Sequence, residues 1–312
     1  MFASPDNQVN ALRDLPPWPT PGASSAMSAA GGHTLLTLDP DTGYAAEVAM
    51  FGGTTFTGGA CACDVPANDR AYRIKLDKDT VLNNAMAWEV EQMPGPRVMV
   101  DATLLPNGKV ILVNGAKSGN SNNGGPGGGG QARDMEGHAW LYDPKAPAGG
   151  RFSVLAASAI KRFYHSTAML LPSGDLLVMG SEQNDCYNAC VQFNPALHQY
   201  QAELFKLPYA FAAGRPVITD VSTEEAAMGS EVKVTYDGTV SGAVLMTPGA
   251  VTHQLNMNQR GIKLAVAKNE NGEITLTMPP PGGNVAQPGW YMLFLLNGDL
   301  PCTKASWILL TA

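Results

Sequence analysis

The sequence is poor in charged residues, and basic side chains are the minority among them. Only 15% of its 312 residues are charged, and 20 Lys and Arg face 27 Asp and Glu, which gives a formal net charge of −7. An acidic chain is repelled by phosphate groups, so nucleic acid and anionic membranes are excluded as expected partners. No stretch approaches the roughly 18 consecutive apolar residues of a transmembrane helix, so none is expected.

Cysteine is scarce too, and its number is odd. The five cysteines are Cys61, Cys63, Cys186, Cys190 and Cys302. Their spacings are not those of structural zinc sites and no histidine lies near either close pair, so zinc is not expected. Cys186 and Cys190 could close a small disulfide loop in an oxidising compartment. The alternative is a set of small buried or loop thiols with at most one or two disulfides.

The N-terminus lacks the features of a secretory signal. Met1 to Gln8 contain neither a basic n-region nor an apolar h-region. Leu15 to Gly22 are rich in proline, which is disfavoured in helix interiors and central strands. Residues 1–22 are therefore predicted to be a linker-like segment.

Glycine and proline are abundant, and a repeated pattern accompanies them. With 34 Gly and 23 Pro, the composition favours many short strands joined by turns. Three segments run from a leucine-rich strand to a glycine: Leu35 to Gly53, Leu104 to Gly115 and Leu170 to Gly180. Arg97 and Arg162 open the two clearer copies and are expected to tie blades through backbone carbonyls and carboxylates, the alternative for Arg162 being a role in polarising substrate.

Each repeat continues with a loop, a strand, a turn and another strand, as at His138–Tyr142 and Arg151–Leu155. Four strands with a long loop after the second are typical of a propeller blade. An ordinary β-sandwich is the alternative, but the repeated arginine, turn and glycine favour blades. Asn107-Gly108 predicts a type I′ hairpin turn, and Gly119 to Arg133 predict a flexible insert in the second blade.

The pattern changes at Arg215, after which several segments alternate apolar and polar residues, as in Ser230–Tyr236 and Pro288–Leu296. This set is typical of a small Ig-like sandwich, with Trp290 and Trp307 expected in its core strands. The predicted fold is all-β: a partial, about three-blade β-propeller over residues 23–212, followed by an Ig-like β-sandwich over 213–312. Propellers usually close with about four to eight blades, so this one is expected to be incomplete.

Tyr164 and His165 are adjacent, immediately before a predicted strand. Neighbouring residues of a regular strand point to opposite faces, so both can face one site only where the backbone is irregular. A phenol beside an imidazole suits copper better than a zinc hydrolase. A further histidine, His253, follows in a loop of the second domain. The alternative is a hydrogen-bonded core pair at Tyr164-His165 and a loop histidine at 253.

Seven motifs together resemble the glyoxal oxidase and galactose oxidase family of copper-radical oxidases, from about Leu15 to the C-terminus. The glyoxal oxidase branch fits better. The motifs are Met93–Met99, Leu104–Gly108, Asn114–Lys117, Leu141–Pro144, Arg162–Ser166, Thr252-His253 with Met257–Arg260, and Pro288–Met292.

The resemblance implies a kelch-type propeller of seven blades and a C-terminal early-set Ig-like domain, one loop of which carries a histidine down the propeller axis. Tyr164 would be the axial ligand of one copper ion and the catalytic base, and His165 and His253 would be equatorial ligands. Such enzymes oxidise a small aldehyde, as its hydrate, or an alcohol, while O2 becomes H2O2. The relatives are secreted, so an extracellular location is expected.

The resemblance also implies a tyrosine cross-linked to a cysteine, which holds the radical and comes from blades upstream of the matched region. Cys61 and Cys63 match no such motif. This chain is therefore expected to be the C-terminal part of an aldehyde oxidase and inactive alone, with the missing blades or another chain closing the propeller. The alternative is a non-catalytic structural or carbohydrate-associated module descended from the family.

Overall fold

The structure, a computed structural model, describes residues 2–3, 9–10, 14–20, 30–55, 64–120, 131–181 and 199–312. These residues form strands almost throughout. Helix in this part of the chain is limited to α1 (Lys78–Leu82) and short 3-10 turns at Pro40–Thr42 and Pro208–Phe211. None of these helices is long and apolar enough to cross a membrane.

Three antiparallel sheets follow one another along the first two thirds of the chain. The first contains β3 (Gly32–Leu35), β4 (Ala46–Phe51), β5 (Arg70–Leu76) and β6 (Trp88–Gln92) in that order. The second contains β7 (Asp101–Leu104), β8 (Val110–Val113), β11 (His138–Tyr142) and β12 (Phe152–Ala157). The third contains β13 (Ser166–Leu170), β14 (Leu176–Gly180) and β15 (Glu203–Phe205). These sheets are blades, so the predicted partial propeller is confirmed.

The same turn joins the first two strands of the second and third blades. The N–H of Gly108 donates to Leu105 O and that of Gly174 to Leu171 O, both at 2.9 Å. Only the glycine has a positive φ in each turn, 81° at Gly108 and 83° at Gly174. The type I′ turn predicted at Asn107-Gly108 is therefore wrong, because Pro106 fixes a negative φ at the first central position.

A strand hairpin replaces part of the insert predicted in the second blade. β9 (Ala116–Asn120) pairs with β10 (Gln131–Met135), and Asn120 lies opposite Gln131. The prediction of a flexible insert over Gly119–Arg133 is wrong at both ends, where backbone groups pair across the hairpin. Residues 121–130 lie outside the described residues. Another hairpin joins β1 (Phe2–Ala3) and β2 (Val9–Asn10).

The two repeated arginines are fully buried and bind backbone carbonyls of their own blades. Arg97 donates from Nη2 to His138 O at 2.6 Å, and its guanidinium lies 4.1 Å from the ring centroid of Trp140. Arg162 donates from Nη1 to Gly180 O at 2.7 Å and from Nη2 to Gln201 O at 2.8 Å. Each arginine thus connects the entry of its blade to later strands of that blade.

The C-terminal third is a sandwich of two sheets, which confirms the Ig-like prediction. One sheet contains β16 (Val217–Val221), β18 (Glu231–Asp237), β24 (Glu273–Thr277) and β23 (Ala265–Glu270). The other contains β17 (Glu225–Ala227), β27 (Ser306–Thr311), β25 (Gly289–Asn297), β19 (Gly242–Met246) and β22 (Gly261–Lys263), with β26 (Leu300–Pro301) paired to β25. A hairpin of β20 (Ala250–Thr252) and β21 (Leu255–Met257) leaves the sandwich between β19 and β22.

The sandwich binds the turn ends of the blades. Leu38 of the first blade forms a parallel bridge with Ile262 of β22. The N–H of Ala305 donates to Pro172 O, at the turn of the third blade, at 2.7 Å. One continuous apolar core runs from the blades into the sandwich. The domain ranges 1–22, 23–212 and 213–312 remain predictions. The boundary between residues 212 and 213 lies in the connection from β15 to β16.

The segment predicted to be linker-like packs on the first blade where it is described. The ring of Trp18 lies 4.2 Å from that of Tyr72 and 5.1 Å from that of Trp88. Trp88 Nε1 donates to Pro16 O at 3.0 Å. Residues 14–20 therefore cover part of the face of the first blade.

Candidate metal centre

Tyr164 and His165 form a turn directly before β13. Tyr164 is 7% exposed, whereas His165 is exposed. His165 has a φ of 61°, in the left-handed region that few residues other than glycine adopt. This irregular backbone breaks the alternation of a strand, and the two ring centroids lie 3.9 Å apart. Both rings therefore lie together, which a regular strand would not allow.

His253 occupies the tip of the hairpin that leaves the sandwich. The two-residue loop, His253-Gln254, has φ values of 57° and 59°, the combination of a type I′ turn. The ring centroid of His253 lies 6.0 Å from that of Tyr164. Its Nδ1 lies 2.7 Å from Thr252 Oγ1. The tertiary structure thus brings the three rings predicted from the sequence into one cluster.

Gln259, which follows β21 near the base of the hairpin, fixes the hairpin to the propeller. The side-chain amide donates to Thr34 Oγ1 at 3.1 Å and to Ala102 O at 3.2 Å, and its Oε1 accepts from Leu104 N at 2.6 Å. Thr34 belongs to the first blade, and Ala102 and Leu104 to the second. One side chain of the sandwich therefore binds two blades.

A buried carboxyl group, Asp101, lies behind the Tyr164-His165 turn. Its Oδ2 accepts from Asn114 Nδ2 at 2.7 Å and lies 3.2 Å from Ser166 Oγ. Burial raises the pKa of Asp101 from 3.8 to about 7, although these two partners and the charge of Arg97 favour the ionised form. The folded chain therefore retains the Asp101 proton at pH values where the unfolded chain releases it.

This raised pKa predicts a pH-dependent stability. The contribution of Asp101 is fully present below about pH 4 and is lost as the pH rises to about 7, because only the folded state holds the proton in between. Asp101→Asn removes the titration. The fall in unfolding free energy across this window should shrink, on the order of 4 kcal/mol at 1.36 kcal/mol per pKa unit. Urea unfolding at a series of pH values measures this change in unfolding free energy.

Asp64→Asn, at an exposed position, is the control. An unchanged pH dependence of the unfolding free energy in Asp101→Asn would contradict the raised pKa of Asp101.

The three clustered rings offer two imidazoles and one phenol, which are nitrogen and oxygen donors of the kind that Cu(II) takes. No cluster of three or more His, Cys, Asp or Glu side chains that could hold a metal occurs in the described part of the chain. The Tyr164 cluster differs because a phenol is one of its donors. Its chemistry fits copper, and nothing in its donor set resembles a zinc site rich in thiolate.

None of the five cysteines belongs to the Tyr164 cluster as far as the described residues show. Cys186 and Cys190, the predicted disulfide, lie outside the described residues, as do Cys61 and Cys63. Cys302 is a buried free thiol, and burial raises its pKa to about 11, which makes it unreactive.

Three polar residues that support the Tyr164 turn or the His253 hairpin were not predicted from the sequence: Asp101, Gln254 and Gln259. A glutamine in place of glycine at the second position of a two-residue hairpin loop was the available signal for Gln254. Gln259 lies within the motif Met257–Arg260, but its partners are more than a hundred residues away in the chain.

The prediction for Trp290 and Trp307 is wrong in part. Both lie on sandwich strands but are 50% and 41% exposed, on the face of the sheet opposite the sandwich interior.

Two family models cover most of the chain. The glyoxal oxidase N-terminus model matches residues 4–209, and the galactose oxidase-like early set domain model matches residues 215–310. The chain belongs to the glyoxal oxidase family. Its resemblance to that family is thereby confirmed, with the early-set domain following the blades.

Named relatives agree with this membership. The chain is 34% identical to an aldehyde oxidase of Vitis pseudoreticulata over 306 residues, which are 93% of this chain and 55% of the relative. It is 34% identical to an aldehyde oxidase of Arabidopsis thaliana over 262 residues, or 77% of this chain and 41% of the relative. A galactose oxidase of Gibberella zeae is 30% identical over 82% of this chain and 35% of its own length. The chain thus spans between about a third and about half of the length of these relatives.

A solved structure shares the fold. It is described as a novel fungal alcohol oxidase with catalytic diversity among the AA5 family, in complex with copper. The TM-score is 0.68 at 23% sequence identity, and the match covers 91% of this chain and 55% of the other. At this identity the likeness supports the architecture of blades and early-set domain alone.

Proposed function

We propose that this chain is the part of a copper-radical aldehyde oxidase that supplies Tyr164, His165 and His253 as three ligands of one copper ion. The whole protein would convert a small aldehyde, O2 and water to a carboxylic acid and H2O2. The observation that carries the proposal is the convergence of two imidazoles and a phenol from separate domains, held by backbone in the left-handed region. Strained backbone of this kind is concentrated at functional sites.

The three residues would have different roles. Thr252 Oγ1 beside Nδ1 of His253 leaves Nε2 as the nitrogen for the metal and fixes the ring orientation. His165, which is exposed, would bind from the adjacent turn. Tyr164, which is buried, would hold or accept a proton at its phenolic oxygen, since a metal lowers the pKa of a ligand that carries a proton. Bound copper would supply one-electron redox chemistry.

The reaction itself requires a second redox group. Oxidation of an aldehyde hydrate to an acid removes two electrons and two protons, which reduce O2 to H2O2, and one copper ion would account for only one of the two electrons. We assign the second to a tyrosine cross-linked to a cysteine in further propeller blades, as family membership implies. This chain alone would then bind copper without turnover.

The surface of the sandwich sheet supports further blades as the partner. Trp307, Met292, Met246 and Gly261 form one row across four strands. Side chains directly opposite one another share a face of the sheet. At one end of the row, a Cβ added to Gly261 would lie 2.9 Å from Leu104 Cδ2 of the second blade. This face therefore abuts the blades.

This row of sandwich residues extends past the area that the described blades cover. Met246 and Met292 are buried, but Trp307 at the other end is 41% exposed, and Trp290 on the same face is 50% exposed. Both line an open cleft of about 910 Å³. Exposed apolar surface continuous with an interface indicates more of that interface. We propose that the turn ends of additional blades cover these two tryptophans.

The remainder of the Vitis relative, expressed separately, provides a probe for this surface. It should bind this chain, and Trp290→Glu with Trp307→Glu should weaken binding at least about tenfold, or 1.4 kcal/mol. Val154→Glu, at an exposed strand position of the second blade, is the control. Equal binding by both variants would refute the surface.

We also propose that the protein is extracellular, which its family membership supports. Mass spectrometry of the natural protein without reduction should find Cys186 linked to Cys190. Free thiols at both positions would count against an oxidising compartment.

Titration with Cu(II), followed by electron paramagnetic resonance, tests the proposed function. One equivalent should bind with the tetragonal spectrum of mixed nitrogen and oxygen ligands. Absence of stoichiometric binding would reject the copper centre and leave the non-catalytic module as the function of this chain.

A further inference from the structure

We propose that Gln254 is a positioning residue, which holds the His253 tip of the sandwich hairpin against the Tyr164-His165 turn of the third blade. This inference rests on the proposed copper function. It assigns to one buried amide the relative placement of ligands that come from two domains.

The contacts of Gln254 bracket the ligand turn. Its side chain is 1% exposed, and Nε2 donates to Phe163 O at 2.8 Å and to Ser166 Oγ at 2.9 Å, with Ser166 O at 3.4 Å. Phe163 immediately precedes Tyr164, and Ser166 immediately follows His165. A single amide group from the hairpin therefore binds both ends of the two-residue ligand segment.

The same acceptors are fixed within the propeller. Ser166 Oγ lies 2.6 Å from Phe163 O, which closes the turn locally. It also lies 3.2 Å from Asp101 Oδ2 of the second blade. Ser181 Oγ accepts from the N–H of Phe163 at 2.9 Å. Gln254 thus contacts a rigid part of the propeller, since each acceptor has its own buried partners.

The backbone of the hairpin provides an independent argument. Two-residue type I′ loops favour Asn-Gly because both residues need positive φ. Here the loop is His253-Gln254, with φ values of 57° and 59°. The first residue is the proposed ligand. Glutamine at the second position forgoes the favoured glycine, and its buried amide explains why a strained residue is retained there.

Gln259 cannot replace this contact, because it fixes a different part of the hairpin. It binds the first and second blades near the hairpin base, five residues along the chain. None of the blade residues that Gln259 binds, Thr34, Ala102 and Leu104, belongs to the third blade. Gln254 joins the tip directly to both ends of the segment that carries Tyr164 and His165.

The test compares three variants of the chain. Gln254→Met keeps the length of the side chain and removes its donors. Gln254→Gly also removes them but supplies the residue that the turn favours, so the hairpin should be no less stable. Met257→Ala, at an exposed position of the same hairpin, is the matched control. Loss of an outer hydrogen-bond partner typically lowers metal affinity about 10–100-fold. We expect both Gln254 variants to lose affinity by this factor relative to the wild type and to show an altered copper hyperfine splitting. Met257→Ala should keep the affinity and the spectrum of the wild type.

A second measurement needs no metal. Nuclear Overhauser contacts between the rings of His253 and Tyr164 should weaken in both Gln254 variants and persist in Met257→Ala. If the wild type binds no copper, the proposed function fails, while these contacts still report whether Gln254 sets the position of His253. Wild-type copper affinity, spectrum and ring contacts in Gln254→Gly would overturn the inference.

Discussion

His165→Ala and His253→Ala should each abolish stoichiometric copper binding by this chain. The two imidazoles and the phenol of Tyr164 are the three donors of the cluster, so each substitution leaves two. Loss of an outer partner alone lowers metal affinity about 10–100-fold, and loss of a ligand should exceed about 100-fold. Competitive titration against a chelator of known affinity measures the change.

The controls separate ligand loss from unfolding. Both histidines are exposed, so their truncation should change the unfolding free energy by no more than about 0.5 kcal/mol beyond any backbone strain. Because both have positive φ, glycine variants at the same positions avoid that strain. His138→Ala, at an exposed blade position, should leave copper binding unchanged. Copper binding that survives both His165→Ala and His253→Ala would disprove the site.

Arg162→Ala should produce the largest loss of stability. Its fully buried guanidinium donates to Gly180 O and Gln201 O and pairs with Glu203 at 3.1 Å. The substitution leaves a cavity and removes the donor from three partly buried acceptors. Breaking a buried ion pair by removing one partner costs about 3–5 kcal/mol, and because the Glu203 side chain is 28% exposed we expect the lower end, about 3 kcal/mol. Urea unfolding should show a lower midpoint, and because the turn at Tyr164 follows directly, copper affinity should fall as well.

Arg70→Ala is the matched control for this prediction. Its ion pair with Asp69 is exposed on both sides. Exposed pairs contribute about 0–1 kcal/mol, so the midpoint should scarcely move. Equal losses in the two arginine variants would show that the blade contacts of Arg162 are not what stabilises the third blade.

Local patterns predicted the elements of this fold well. His138–Tyr142 was predicted and found as a strand with the same limits, and the Ig-like strands agree within one or two residues at most ends. These signals are local, since alternation and turn residues lie within a few positions of one another. The prediction was wrong where two local rules conflict. At Leu105–Gly108 the fixed φ of Pro106 decided the turn, against the Asn-Gly signal.

Surface and interior were harder to assign than strands. Trp290 and Trp307 have the residue type and alternation of core positions, and they do lie on adjacent strands. Which side of the sheet is covered depends on the neighbouring domain, and no pattern within the strand reports it. Their exposure became visible only once the row from Gly261 to Trp307 was followed across the sheet.

Patterns in the sequence were enough to predict the all-β architecture, the family and the three residues proposed as copper ligands, because strand periodicity and motif order are local properties of the chain. The proximity of Tyr164, His165 and His253, and the support that Gln254, Gln259 and Asp101 give to their turn and hairpin, became visible in the folded chain alone. These residues come from different blades and from the sandwich. Their hydrogen bonds join positions far apart in the chain, and the geometry of such bonds exists only after the domains have packed.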